Sequence, residues 1–160
     1  MPMKISEPRL PHGLARLAFR LPILFYSAGL GNLLGTRFVR LTHTGRKSGR
    51  PRQSVLEVVH YDPKTGGCIV ASGWGEKSDW FRNVSADPHI SFQMGRTTRK
   101  GVARRLSAEE GGRAILDYAH RHPFAMRELA HFMGYRLNGT DEDYYALGAI
   151  LPMFEFSPVE

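Results

Sequence analysis

At 160 residues the chain has the length of one domain able to bury one sizeable core, and its 42% apolar and 23% charged residues are ordinary for a soluble globular protein. No run approaches the ~20 uninterrupted apolar residues a spanning helix needs. The net charge of +7 favours an acidic partner, and nucleic acid, an anionic membrane surface and a phosphorylated or carboxylated small molecule all qualify on charge alone.

The first 35 residues carry Lys4 and Arg9 and then "LPHGLARLAFRLPILFYSAGLGNLLG". Arginines interrupt its apolar region and no small-residue cleavage pattern follows, so it does not read as a secretory signal. Leu14, Leu17, Ala18 and Leu21 share one helical face while Arg16 and Arg20 lie on another, which predicts a basic amphipathic helix broken near Pro22. Packing on the domain is the first reading of this helix. Contact with anionic lipid at the inner membrane face, or a lid over an apolar pocket, is the second.

Beyond Gly35 the pattern changes to period two. Strands are predicted at 36–43, 54–62, 67–72, 89–95 and 97–107, with hairpin turns at "DPKTGG" and "MGRT". Strands so short and closely spaced predict an antiparallel barrel spanning 36–107 rather than a βαβ sheet. Cys68, the one cysteine, sits in the apolar run "GGCIVAS", which excludes an intrachain disulfide and a thiolate metal site and predicts a buried thiol in a reducing cytoplasm.

Between strands, "GEKSDWFRNVSADP" predicts a short helix capped by Ser78, with Trp80, Phe81 and Val84 clustered. From 108 to 160, Ser107 and Glu110 stand in capping-box register ahead of a helix that stops before Pro123. "FAMRELAHFMGY" predicts a second helix, "NGTDEDYYALGAILP" a turn and a third, and "LPMFEFSP" a last strand with Phe154 and Phe156 on one face. The whole is one domain, mainly β with flanking helices.

The common catalytic signatures GxSxG, HExxH, GxxxxGK[ST] and GxGxxG after a strand are absent. His43, His60, His120 and His122 form no metal-ligand spacing, and Glu109, Glu110, Asp141, Glu142 and Asp143 sit at helix starts, where negative charge favours the helix dipole. "LTHTGRKSGRPRQSVLEV" differs in kind, because Arg46, Lys47, Arg50 and Arg52 crowd one glycine-flanked turn. Such a turn can present backbone N–H groups and Ser48 Oγ to phosphate oxygens, with Lys47 and Arg52 adding charge. It can equally be a solvated hairpin tip. The small-residue stretch at Ser72 and Gly73, with Lys77, Trp80 and Asn83 nearby, adds a surface on which a planar ligand can approach backbone.

Taken in order, "LTHTGRKSGRPRQSVLEV", "CIVAS", "EKSDWFRNVSADP" and "HISFQMGRTTRKGVARRLSAEE" resemble the deazaflavin-dependent nitroreductase family, small split β-barrels of the FMN-binding-like superfamily, from about Phe38 to Glu110. The resemblance implies coenzyme F420, with FMN as the alternative cofactor. It places Arg46, Lys47, Ser48 and Arg52 at the phosphate, and Gln53, Ser54, Val55, Leu56 and Glu57 along the deazaflavin, Val55 and Leu56 nearest the ring. It also places Val70, Ala71, Ser72 and Gly73 on the shelf, and Lys77, Asp79, Trp80, Phe81, Arg82 and Asn83 in and beside the short helix. Several relatives carry a lysine directly after the shelf serine, where this chain has Gly73 and Trp74, and the tyrosine-bearing C-terminal region of the family is altered here.

The implied activity is an F420-dependent oxidoreductase that passes a hydride from reduced cofactor to an organic acceptor: a quinone, an enone or a nitro compound. Ser72 is the candidate proton donor near the ring, and Tyr135, Tyr144 or Tyr145 the candidates at the acceptor. The expected partners are that acceptor and, at most, a second copy of the chain; a non-catalytic lipid carrier is the alternative of another class. Basic residues gathered at one turn, with few interleaved aromatics, argue against nucleic acid.

Overall fold

The computed structural model describes residues 2–4, 35–73 and 75–159. The amphipathic segment expected around Leu14 to Leu21, with its membrane contact, lies outside them. In chain order the elements are β1 (Met3–Lys4), β2 (Phe38–Thr44), β3 (Pro51–Tyr61), β4 (Cys68–Ala71), a 3₁₀ turn (Gly75–Lys77) and α1 (Asp79–Ala86). After these come β5 (His89–Met94), β6 (Thr97–Arg105), α2 (Ala108–Arg121), α3 (Pro123–Phe132), β7 (Tyr135–Arg136), α4 (Asp141–Ile150) and β8 (Met153–Pro158). The sequence pattern anticipates the main strands and helices. It misses the short ribbon of β1 on β7, in which Lys4 faces Tyr135.

Six strands close into an antiparallel barrel in the order β2-β3-β4-β8-β6-β5, β5 returning to β2 through Leu41 and Phe92. Alternation along each strand sends one set of side chains inward. Val39 and Leu41 of β2, Val70 of β4, Phe92 of β5 and Phe156 of β8 are fully buried there. Truncating one of these phenylalanines to alanine costs about 3–5 kcal/mol.

Strand β3 changes phase midway. Arg52, Ser54 and Leu56 stand opposite His43, Leu41 and Val39, hence on the inner side. A bulge between Val58 and His60 then inserts one extra residue against β4. Val58 stays in the barrel core, Val59 turns to the helices outside, and Tyr61 packs inward again.

Helix α1 closes one end of the barrel. Its Trp80, Phe81 and Val84 join the barrel core, and Phe154 of β8 receives Phe81 at a centroid distance of 4.9 Å and Trp80 at 6.1 Å. Ser78 occupies the N-cap position, yet its side chain makes no cap hydrogen bond. This corrects the expected cap: the Ser78 hydroxyl pairs instead with Ser72 Oγ at 2.7 Å, a buried contact.

Outside the barrel, α2, α3 and α4 cover β3 and β4 through a second core of Val59, Ile115, Tyr118, Met126, Met133, Leu147 and Met153. The α2 capping box forms as predicted, with Glu110 N–H donating to Ser107 Oγ and Ser107 N–H donating to the Glu110 carboxylate. Helices α2 and α4 meet at Gly111 and Gly148. A Cβ at Gly111 would lie 2.5 Å from the Gly148 carbonyl oxygen, so the closeness of the two backbones requires glycine. Among the described residues no helix is long and apolar enough to cross a membrane.

Candidate functional site

The basic turn between β2 and β3 is held together by its own backbone. Gly45 N–H donates to Arg50 O and Gly49 N–H to Gly45 O, both at 2.8 Å, while Arg50 N–H donates to Ser48 Oγ at 3.2 Å. Gly49 takes φ +69°, which favours glycine, and a Cβ on Gly45 would lie 2.7 Å from Ser48 Oγ and so displace the side chain that accepts from Arg50 N–H. Arg46 N–H donates to Asn83 Oδ1 of α1 at 3.1 Å. Among the described residues, the Lys47 and Ser48 amides at the exposed tip keep their donors available. Adjacent free amides beside cationic side chains form an anion-binding concavity.

Behind the turn runs a buried polar string. The Arg46 guanidinium donates to Asn83 Oδ1 at 2.8 Å and pairs with Asp79 at 3.2 Å. Asn83 Nδ2 lies 3.2 Å from His43 Nδ1, and His43 Nε2 lies 3.2 Å from Ser54 Oγ. His43 is only 4% exposed. Burial, and then the nearby charge of Arg52, lower its pKa from 6.5 to about 4 against the opposing effect of Asp79, so the ring is neutral near pH 7.

Turn, string and α1 enclose a cleft of about 480 Å³ lined by His43, Gly45, Arg46, Lys47, Ser48, Arg52, Gln53, Ser54, Asp79, Trp80 and Asn83. Among the described residues its single carboxylate, Asp79, is already paired with Arg46. Arg46, Lys47 and Arg52 therefore leave it strongly electropositive.

A larger cavity of about 1060 Å³ opens on the other side of α1. Gly73, Phe81, Met133, Leu151 and Pro152 give it an apolar wall, and Lys4, Lys77, Arg82, Arg105 and Tyr135 a polar one. Arg105 pairs with Glu76 and lies 5.3 Å over the Phe81 ring, which holds its guanidinium at the edge. The helix sorts its own residues by turn position: Asp79, Trp80 and Asn83 face the basic cleft, whereas Phe81, Arg82 and Ser85 face the larger cavity.

Nine of the residues singled out in the sequence thus meet in one cleft. Gly73, Lys77, Phe81, Arg82 and Tyr135 meet in the other cavity, and Tyr144 stands beyond Tyr135 in a smaller one near Gly139. Val55 and Leu56 do not converge. Adjacent strand residues face opposite sides, so Leu56 packs on the barrel core while Val55 pairs across from Arg40 on the outer face. Glu57 accepts a hydrogen bond from Tyr118 Oη at 2.6 Å under the outer helices.

Val70 is buried inside the barrel, and Ala71 packs against the outer core. Ser72 follows β4. It is 1% exposed, its hydroxyl donates to Gly75 O at 2.5 Å, and it lines neither cavity, so in this arrangement it shapes the turn after β4 and presents no proton outward. In the basic cleft, His43 and Gly45 are the lining residues that the sequence pattern did not single out. The signal was present: His43 continues the inward alternation of Val39 and Leu41 up to the mouth of the barrel.

The closed antiparallel barrel, with a basic cleft at its mouth and a larger amphipathic cavity alongside, is a split barrel. Residues 25–124 match the family described as F420H(2)-dependent quinone reductase, and the chain belongs to that family. It is an F420-dependent oxidoreductase, and its cofactor is coenzyme F420. The solved structure of the F420-H2 dependent reductase FDR-A is 25% identical, with a TM-score of 0.53 over 78% of this chain and 96% of that one. A structure described as a domain-swapped dimer is 22% identical, with a TM-score of 0.55 over 91% of this chain and 100% of that one. HutZ, the heme storage protein from Vibrio cholerae, shares the fold at 13% identity, with a TM-score of 0.52 over 84% of this chain and 89% of that one. No curated protein matches the chain.

Proposed function

We propose that the protein reduces a quinone with F420, the basic cleft holding the cofactor's phosphate and acidic tail and the larger cavity holding its ring and the acceptor. The observation that carries this reading is the convergence of the Lys47 and Ser48 amides with the Lys47 and Arg52 side chains on one cleft whose only carboxylate is neutralised. The donor set fits the group: an ammonium, a guanidinium fork, two amides and the Ser54 hydroxyl suit phosphate and carboxylate oxygens, and F420 carries both.

When bound in its reduced form, F420 supplies a hydride, which together with one proton converts a quinone to its quinol. The chain's own part is binding and orientation. Gly73 lets a flat ring approach the backbone, Phe81, Met133 and Leu151 exclude water, and Lys77 and Arg82 attract the oxygens of the ring system and acceptor. Tyr135, on the wall of the same cavity, serves in this reading as the proton donor. Enones and nitro compounds are smaller acceptors of the same two electrons and serve as alternative substrates to assay.

Trp80 lines the basic cleft, so titration with F420 at low salt should quench its fluorescence, and reduced F420 should then be oxidised on adding menadione without air. No quenching sinks the binding step. Quenching without turnover sinks the quinone assignment alone.

A further inference from the structure

The polarity of the buried string is fixed from one end to the other. A backbone N–H can only donate, and so can a guanidinium, so Asn83 Oδ1 must be the atom that faces Arg46. Asn83 Nδ2, a donor, is thereby turned on His43 Nδ1, which must accept. The remaining ring proton then sits on Nε2 and is donated to Ser54 Oγ. With one lone pair of Ser54 occupied, its own hydrogen is left to seek another acceptor, and Ser54 lines the basic cleft.

We propose that His43 is a positioning residue which, held as its Nε2–H tautomer by Asn83, sets the Ser54 hydroxyl as a hydrogen-bond donor to the anionic oxygens of F420. The assignment rests on the placement of the cofactor's anionic tail in this cleft. It adds a hydroxyl donor to the ammonium, guanidinium and two amides that the mouth already offers. Phosphate accepts from all of them. The depressed basicity of the buried ring, set against Arg52, Asp79 and Arg46, keeps the string intact at neutral pH.

Two readouts test this. Ring ¹⁵N shifts of the unaltered protein at neutral pH should show His43 protonated on Nε2 and bare on Nδ1, a result that needs no variant to fold. Calorimetric titration with F420 should show Ser54→Ala and His43→Phe each weakening affinity about tenfold or more, the loss of one hydrogen bond to a charged group. The double variant should be no weaker than the weaker of the two singles. Additive losses, unaltered affinity in Ser54→Ala, or an Nδ1-protonated or cationic ring would overturn the assignment alone. Absence of F420 binding by the unaltered protein would overturn it together with the reading it rests on.

Discussion

Asn83 Oδ1 accepts from both the amide of Arg46, at 3.1 Å, and its guanidinium, at 2.8 Å, so one side-chain oxygen clasps the β2–β3 turn to α1 across 37 residues of sequence. The clasp is 5% exposed at Asn83, so water cannot replace it. Replacing Asn83 by leucine strands two donors and the His43 acceptor. Unfolding in urea should show a loss of about 1–3 kcal/mol for each group left unsatisfied, and F420 affinity should fall with it. Arg46→Ala, which leaves its own amide on Asn83, should lose less.

Lys47 and Arg52 are the exposed cations at the mouth of the cleft. Charge-assisted contacts are worth roughly 1.5–3 kcal/mol each, so Lys47→Ala combined with Arg52→Ala should weaken F420 binding about a hundredfold or more. Raising the salt concentration should weaken binding in the unaltered protein and barely affect the double variant. Unchanged affinity by calorimetry would make the turn a solvated hairpin tip.

His43 also sets a pH dependence. The folded protein keeps its ring neutral down to about 4, whereas the unfolded chain takes up a proton below 6.5. The unfolded state therefore binds the extra proton in that interval, and stability falls as pH drops from about 6.5 toward about 4. Glu110, held down to about 2 by its hydrogen bond from Arg104 and by the Ser107 amide, acts with opposite charge and lower on the scale: its stabilisation is lost as pH falls from 4.5 toward about 2. Thermal melts across the upper interval should show a decline in the unaltered protein that is flattened in His43→Phe.

Gly148→Ala should destabilise the protein although alanine favours a helix interior by about 1 kcal/mol. Its Cβ would press on the Gly111 carbonyl and lie 2.8 Å from Ile115 Cβ in the second core. Overpacking of this kind costs roughly 1–3 kcal/mol beyond the helix gain. A raised midpoint in a denaturant titration would show that α2 and α4 can separate freely.

The barrel was legible because alternation in short strands is a local signal, written into neighbouring residues such as Val39, Leu41 and His43. The basic turn was legible for the same reason. What stayed hidden depends on partners far along the chain. Nothing near Ser72 announces that Ser78 and Gly75 will enclose its hydroxyl, and nothing near His43 announces Asn83, 40 positions away. Val55 and Leu56 show a different limit: a resemblance read as a run of residues ignores that a strand deals its neighbours to opposite sides. The division of α1 between two cavities likewise appears only once the barrel end is in place beneath it.

The bulge between Val58 and His60 makes β3 answer to two timetables. Even-numbered residues point inward before it, and Tyr61 points inward after it. Removing one residue from the strand would cancel the phase change, so that either Ser54 and Arg52 leave the mouth of the barrel or Tyr61 leaves its floor. The Asp62 to Gly67 turn carries no such parity. Length variation among descendants of this chain should therefore collect in that turn and spare the strand, because a deletion only one codon long in β3 would detach the anion clamp from the core that holds it.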